Sequence, residues 1–124
     1  MSRRQATVWM RISLAGLFTA ILGGCHSAFV ETTIDNRGET PVQLVEVDHT
    51  SASFGVGSIV AHSQFHYHFK IQGSGPLKIE FTDSDDKLHN SDGPILKQGQ
   101  EGTLAIVIQP GGGVSWQPSL TNPQ

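Results

Sequence analysis

Gln64-Phe65-His66-Tyr67-His68-Phe69-Lys70-Ile71 decides the fold class of this chain. Successive side chains of a β-strand point to opposite faces, so a strict alternation of apolar and polar residues is the mark of a strand with one face buried. Here Phe65, Tyr67, Phe69 and Ile71 fall on one face, and Gln64, His66, His68 and Lys70 on the other. A helix would scatter the same aromatics around its axis. The turn-forming run Gln72-Gly73-Ser74-Gly75-Pro76 follows, and then Leu77, Ile79 and Phe81 continue the apolar face while Lys78, Glu80 and Thr82 face outward. The spacing predicts a β-hairpin in which Ile71 faces Leu77, Phe69 faces Ile79, Tyr67 faces Phe81 and His68 faces Glu80.

The same period of two extends in both directions. Val30, Thr32 and Ile34 alternate with Glu31 and Thr33, and Asp35-Asn36-Arg37-Gly38 carries turn chemistry. A second strand runs from Pro41 to about His49, with a change of phase at Leu44-Val45 that predicts a β-bulge. Ser51 to Val60, spaced by Gly55 and Gly57, reads as a short edge strand or an irregular crossover. Asp83 to Asp86 is an acidic turn leading through Lys87-Leu88-His89 to a short strand at Gly93-Pro94-Ile95-Leu96. Thr103 to Gln109 is β-branched and apolar on both sides, as suits a central strand, and Pro110-Gly111-Gly112-Gly113 turns it into a last strand whose Trp116 closes one end of the core. About seven strands in antiparallel order predict an all-β fold, a small β-sandwich over residues 29–118, with a polar tail at 119–124. In pattern this resembles immunoglobulin-like and transthyretin-like sandwiches.

The other informative stretch is Leu22-Gly23-Gly24-Cys25, which ends an apolar run beginning after Arg11 and contains the sole cysteine. Arg3, Arg4 and Arg11 precede or flank this run. Its core, Ile12 to Leu22, is about eleven residues long, whereas a spanning helix needs roughly 20. A basic start, a short apolar core and small residues before the cut form a secretory signal, and ending it on Cys25 resembles the lipobox of bacterial lipoprotein precursors. The resemblance implies that residues 1–24 are removed and that Cys25 carries a diacylglyceryl group and an acylated, palmitate-type amino terminus. Residues 25–28 are then a lipidated linker. Two acyl chains, at about 0.8 kcal/mol per buried methylene, already anchor stably. His26 rather than Asp follows Cys25, so the inner-membrane retention signal of enterobacterial lipoproteins is absent. That implies an outer-membrane anchor facing the periplasm. Anchor plus small sandwich is a form similar to that of periplasm-facing lipoproteins such as the lipoprotein subunit of type VI secretion systems, although no residue motif carries that particular identity.

Loss of residues 1–24 removes three arginines, leaving Arg37, Lys70, Lys78, Lys87 and Lys97 against eleven acidic residues, a net charge of minus six. A domain of that sign is repelled by phosphate backbones, and no basic stripe with interleaved aromatics is present, so nucleic acid is excluded as a partner.

Candidate chemistry is sparse. His66 and His68 project from one strand face with Cα atoms about 6.5–7 Å apart, close enough to share a Zn²⁺ or Cu²⁺ ion. His62 could fold back as a third ligand and Glu80 could serve as a carboxylate behind them. The competing reading is that these are surface histidines alternating with core aromatics, with His68 and Glu80 a cross-strand polar pair. Asp83-Ser84-Asp85-Asp86 does not extend to an EF-hand loop, because Lys87, Leu88 and Pro94 occupy positions that need a ligand, Gly and Glu. It reads as a solvated acidic turn. No Gly-x-Ser-x-Gly elbow occurs, and a lipidated Cys25 has no thiol to offer, so the chain has no foothold for catalysis. The sequence therefore predicts a non-catalytic envelope lipoprotein, anchored to the membrane through its lipid, whose sandwich is a structural module or binds an envelope protein. The alternative is a periplasmic metal-binding lipoprotein using the histidine face. A cofactor other than the covalent lipid is not expected.

Overall fold

The computed structural model describes residues 28–122. The expected signal segment and Cys25 lie outside the described residues. The described residues form eight strands, one more than the pattern predicts: β1 (Val30–Asn36), β2 (Val42–His49), β3 (Ala52–Ile59), β4 (Ser63–Phe69), β5 (Gly75–Thr82), β6 (Leu88–Leu96), β7 (Glu101–Ile108) and β8 (Val114–Thr121). They make two four-stranded sheets, ordered β4-β1-β7-β8 and β3-β2-β5-β6. All pairings are antiparallel except β1 with β7, which run parallel from Val30↔Gly102 to Asn36↔Ile108. Immunoglobulin constant domains instead hold seven strands ordered ABED and CFG.

Alternation builds the core. Val30, Ile34, Phe69, Leu104, Ile106 and Ile108 of one sheet meet Val42, Val45, Val47, Ile59, Leu77, Ile79 and Phe81 of the other, all buried. Each such side chain contributes about 1.5–3 kcal/mol relative to exposure, and the apolar inner faces hold the sheets together. β7 is central, as its composition predicts. The bulge in β2 is present too: the β2–β5 register shifts between Gln43 and Glu46, and Leu44 adopts a φ of 52° with its side chain 72% exposed. Val45 can thereby return to the core face.

One pairing differs from expectation. β4 and β5 do not form a hairpin, because β4 pairs with β1 while β5 pairs with β2 and β6. Residues 70–74 carry the chain from one sheet to the other, with Ile71 buried between them and its carbonyl accepting from the Gly99 N–H at 3.3 Å. His68 consequently lies opposite Glu31, and Glu80 lies in the other sheet opposite Glu46. Three further boundaries differ. Ser51 to Val60 yields a full edge strand, β3, and β6 extends back to Leu88. β8 continues through Thr121, past the expected end of the domain at Pro118, because Glu101, Gly102 and Thr103 of β7 pair with Thr121, Leu120 and Ser119.

Strand direction gives the sandwich two poles. β1 starts at Val30 on the pole called the base, which also holds the β2–β3, β4–β5 and β6–β7 connections and the end of β8. The opposite pole, the head, gathers the β1–β2, β3–β4, β5–β6 and β7–β8 connections. Asn36, fully buried at the end of β1, joins two of these loops: its amide donates to Thr40 O and Ile59 O, each at 3.0 Å, and to Val60 O at 3.3 Å, while its Oδ1 accepts from Gly38 N.

Candidate functional site

A cleft of about 450 Å³ opens in the head. Val42, Phe81 and Ile108 give it an apolar floor, the top of the core, and Glu39, Asp85, Lys87, His89 and Gln109 stand around it. Three loops supply the walls. Gln109 to Gly113 is shaped by Gly111 and Gly112, with φ of 91° and 95°, a left-handed conformation that favours glycine, and is closed by Gln109 N donating to Gly113 O at 2.7 Å.

The β5–β6 wall is organised by Asp83. Its Oδ1 accepts from Asp85 N at 2.8 Å and Lys87 N at 3.0 Å, which folds the acidic stretch into a tight turn. Its Oδ2 lies 2.7 Å from His89 Nε2. The His89 imidazole, and after it the Lys87 and Asp85 amides, hold the Asp83 carboxyl below its usual range, against the opposing effect of burial. His89 is packed on both sides: its ring stacks on Phe81 with centroids 5.1 Å apart, and a Cβ placed on Gly112 would stand 2.4 Å from its Cε1. The sandwich end thus presents a fixed imidazole, a small apolar floor and side chains of both charge signs. Clefts of this size receive a side chain or small molecule. The arrangement suits recognition through shape and hydrogen bonds.

Neither Asp83 nor His89 is a site residue on the sequence reading. The signal that could have found them is their separation across the turn, which places His89 opposite Phe81 and next to the start of the hairpin.

The predicted histidine face is distributed differently. His66 and His68 do share the outer face of β4, both exposed, but each has another partner. His66 Nδ1 lies 3.1 Å from Thr33 Oγ1, and the His68 ring meets Phe29 edge-on at 5.1 Å. His62, in the β3–β4 turn, pairs with Glu39 at 3.2 Å. Glu80 is in the opposite sheet, near Glu46, whose carboxyl is raised by its hydrogen bond with Asp48 and by the charges of Asp48 and Glu80. Among the described residues no three His, Cys, Asp or Glu side chains converge in a metal-holding arrangement.

No protein-family model matches the chain, and no curated protein does. Among solved structures, it is similar to the NMR structure of a protein from Eubacterium rectale, with a TM-score of 0.55 and 10% sequence identity over 76% of this chain and 93% of that one. At that identity the likeness shows the fold alone: both are sandwiches of this general form.

Proposed function

We propose that this chain is a lipid-anchored protein of the bacterial cell envelope whose β-sandwich is a non-catalytic interaction module presenting its head to a protein partner. The observation that carries the reading is the direction of β1. Its first residue, Val30, lies at the base, only five positions after Cys25, a tether of at most about 18 Å. Its last residue, Asn36, lines the cleft. An acyl group on Cys25 therefore draws the base toward the bilayer and turns the cleft and its loops away from it. β-Sandwiches bind partners through end loops, and confinement to a membrane raises the effective concentration of partners already there.

Two measurements test the reading. Intact mass of the membrane-extracted protein should show a chain starting at Cys25 with acyl mass, and Cys25→Ala should accumulate an uncleaved precursor without it; normal processing of that variant refutes the anchor. Copurification in detergent should recover a stoichiometric protein that is lost when Lys87→Glu and Glu39→Lys reverse the charges around the cleft. Equal recovery with the reversed variant refutes the head as the contact surface.

A further inference from the structure

The two open sides of the sandwich are finished differently. Where β6 and β8 meet, Trp116 spans the sheets: its Nε1 donates to Ser91 Oγ at 3.1 Å, and its ring lies so close to Gly93 that a Cβ there would stand 2.7 Å from it. Both strands also carry proline, Pro94 in β6 and Pro118 in β8, which cannot donate to an added strand. On the other side, β4 bears His66 and His68 and is followed by Lys70. β3 has none of these devices. Ala52-Ser53-Phe54-Gly55-Val56-Gly57-Ser58-Ile59 contains no charge and no proline, and keeps one register against β2 from His49↔Ala52 to Val42↔Ile59. Edge strands normally carry charges, prolines or bulges because their outward N–H and C=O groups template further pairing.

The seam beside β3 is also unfinished. Phe54 stacks on Tyr67 at 4.2 Å, yet Tyr67 is 41% exposed. Beneath them lies a cavity of about 20 Å³ lined by Val47, His49, Phe69 and Leu77. His49 is buried and its Nε2 has no protein partner.

We infer that the β3 edge receives an added strand from another protein: an extended, uncharged segment of about six residues, apolar at alternate positions. Its main chain would pair with β3. Its apolar residues would cover Phe54, Val56 and Tyr67, and its other residues would lie beside Ser53 and Gly55, on the opposite face. A second copy of this chain does not fit, an argument that rests on the proposed anchor. Anchored copies stand base-down with β3 pointing the same way. Antiparallel self-pairing would invert one of them, and a two-fold axis along the strands would set the apolar face of one β3 beside the solvent face of the other.

The test uses the full chain, extracted from bacterial membranes in detergent, and a peptide of alternating threonine and valine between two terminal lysines. Amide exchange of residues 52–59 should slow about tenfold or more on adding the peptide, and should not slow with a peptide whose central valine is proline. Ser53→Lys/Gly57→Lys should weaken binding about tenfold while leaving the melting temperature in place, since a Cβ at Gly57 meets nothing within 4 Å; Ser53→Lys alone serves if the double variant does not fold. Three outcomes overturn the proposal: no slowing in β3, equal slowing in the other edge strands, or concentration-dependent protection of β3 without peptide, which marks self-pairing. The acyl mass at Cys25, read on the same sample, reports on the anchor separately, so that loss of the anchor and loss of the edge site are distinct results.

Discussion

Asp83 and His89 meet across the β5–β6 turn at 2.7 Å, and this contact fixes one wall of the head cleft. Because His89 and two backbone amides favour the ionised carboxylate, the folded-state value of Asp83 lies below its unfolded one. A carboxyl shifted in that direction stabilises the fold fully above the unfolded value, near about 3.9, and its contribution disappears as pH falls through the lowered folded value. Asp83→Asn should therefore melt below the wild type at neutral pH, and the gap should narrow as the solution is taken to about pH 3. A constant gap across that range would show that the carboxylate charge is not what holds the turn.

Gly112 is the position where the head loops tolerate least. Its φ is 95° and a Cβ would strike the His89 ring, so Gly112→Ala should cost about 2–3 kcal/mol in denaturant unfolding. In a His89→Ala background the steric part is relieved and only the backbone strain remains. The same substitution should then cost about half as much. Identical costs in both backgrounds would mean that the loop moves away from the ring.

The sequence made faces legible and neighbours illegible. The alternation in β4 and β5 correctly separates Phe69, Leu77, Ile79 and Phe81 from the solvent face, because burial of one face is what alternation encodes. It does not say whether two consecutive apolar faces lie side by side in one sheet or face to face across a core. Both arrangements bury the same residues, and a glycine-containing link serves either as a turn or as a crossover. Pairing of β4 with β1, and of β5 with β2 and β6, decides for the crossover, and with it the His68–Glu80 pair dissolves. The cleft was hidden for a related reason. Asp83, His89 and Gly112 come from two hairpins whose approach depends on sheet order, and no local motif marks it. The bulge at Leu44 was visible because it shifts the phase within one strand.

Asn36 is a buried side chain whose whole hydrogen-bonding capacity is spent on the backbone of two loops. Replacing it by alanine strands the carbonyls of Thr40 and Ile59 and the Gly38 amide without partners. Leaving such groups unpaired costs about 1–3 kcal/mol each, less where water enters. Asn36→Ala should lose about 3 kcal/mol in equilibrium unfolding and speed amide exchange at Gly38. Exchange unchanged at that amide would show that the turn does not depend on the side chain.

Thr32 presents the opposite case, a polar atom in the core that earns no bond. It is 2% exposed on the inner face of β1, in register with Tyr67 and Leu104, and its Oγ1 has no hydrogen-bond partner in the protein. Valine has nearly the same shape and favours strands as threonine does. Thr32→Val removes the desolvation cost without opening a cavity, so it should stabilise the fold by about 1 kcal/mol and raise the melting temperature by about 4–8 °C. Thermal melts at neutral pH decide it: a lower melting temperature would show that the hydroxyl is hydrogen-bonded in solution, through a water buried beside β1.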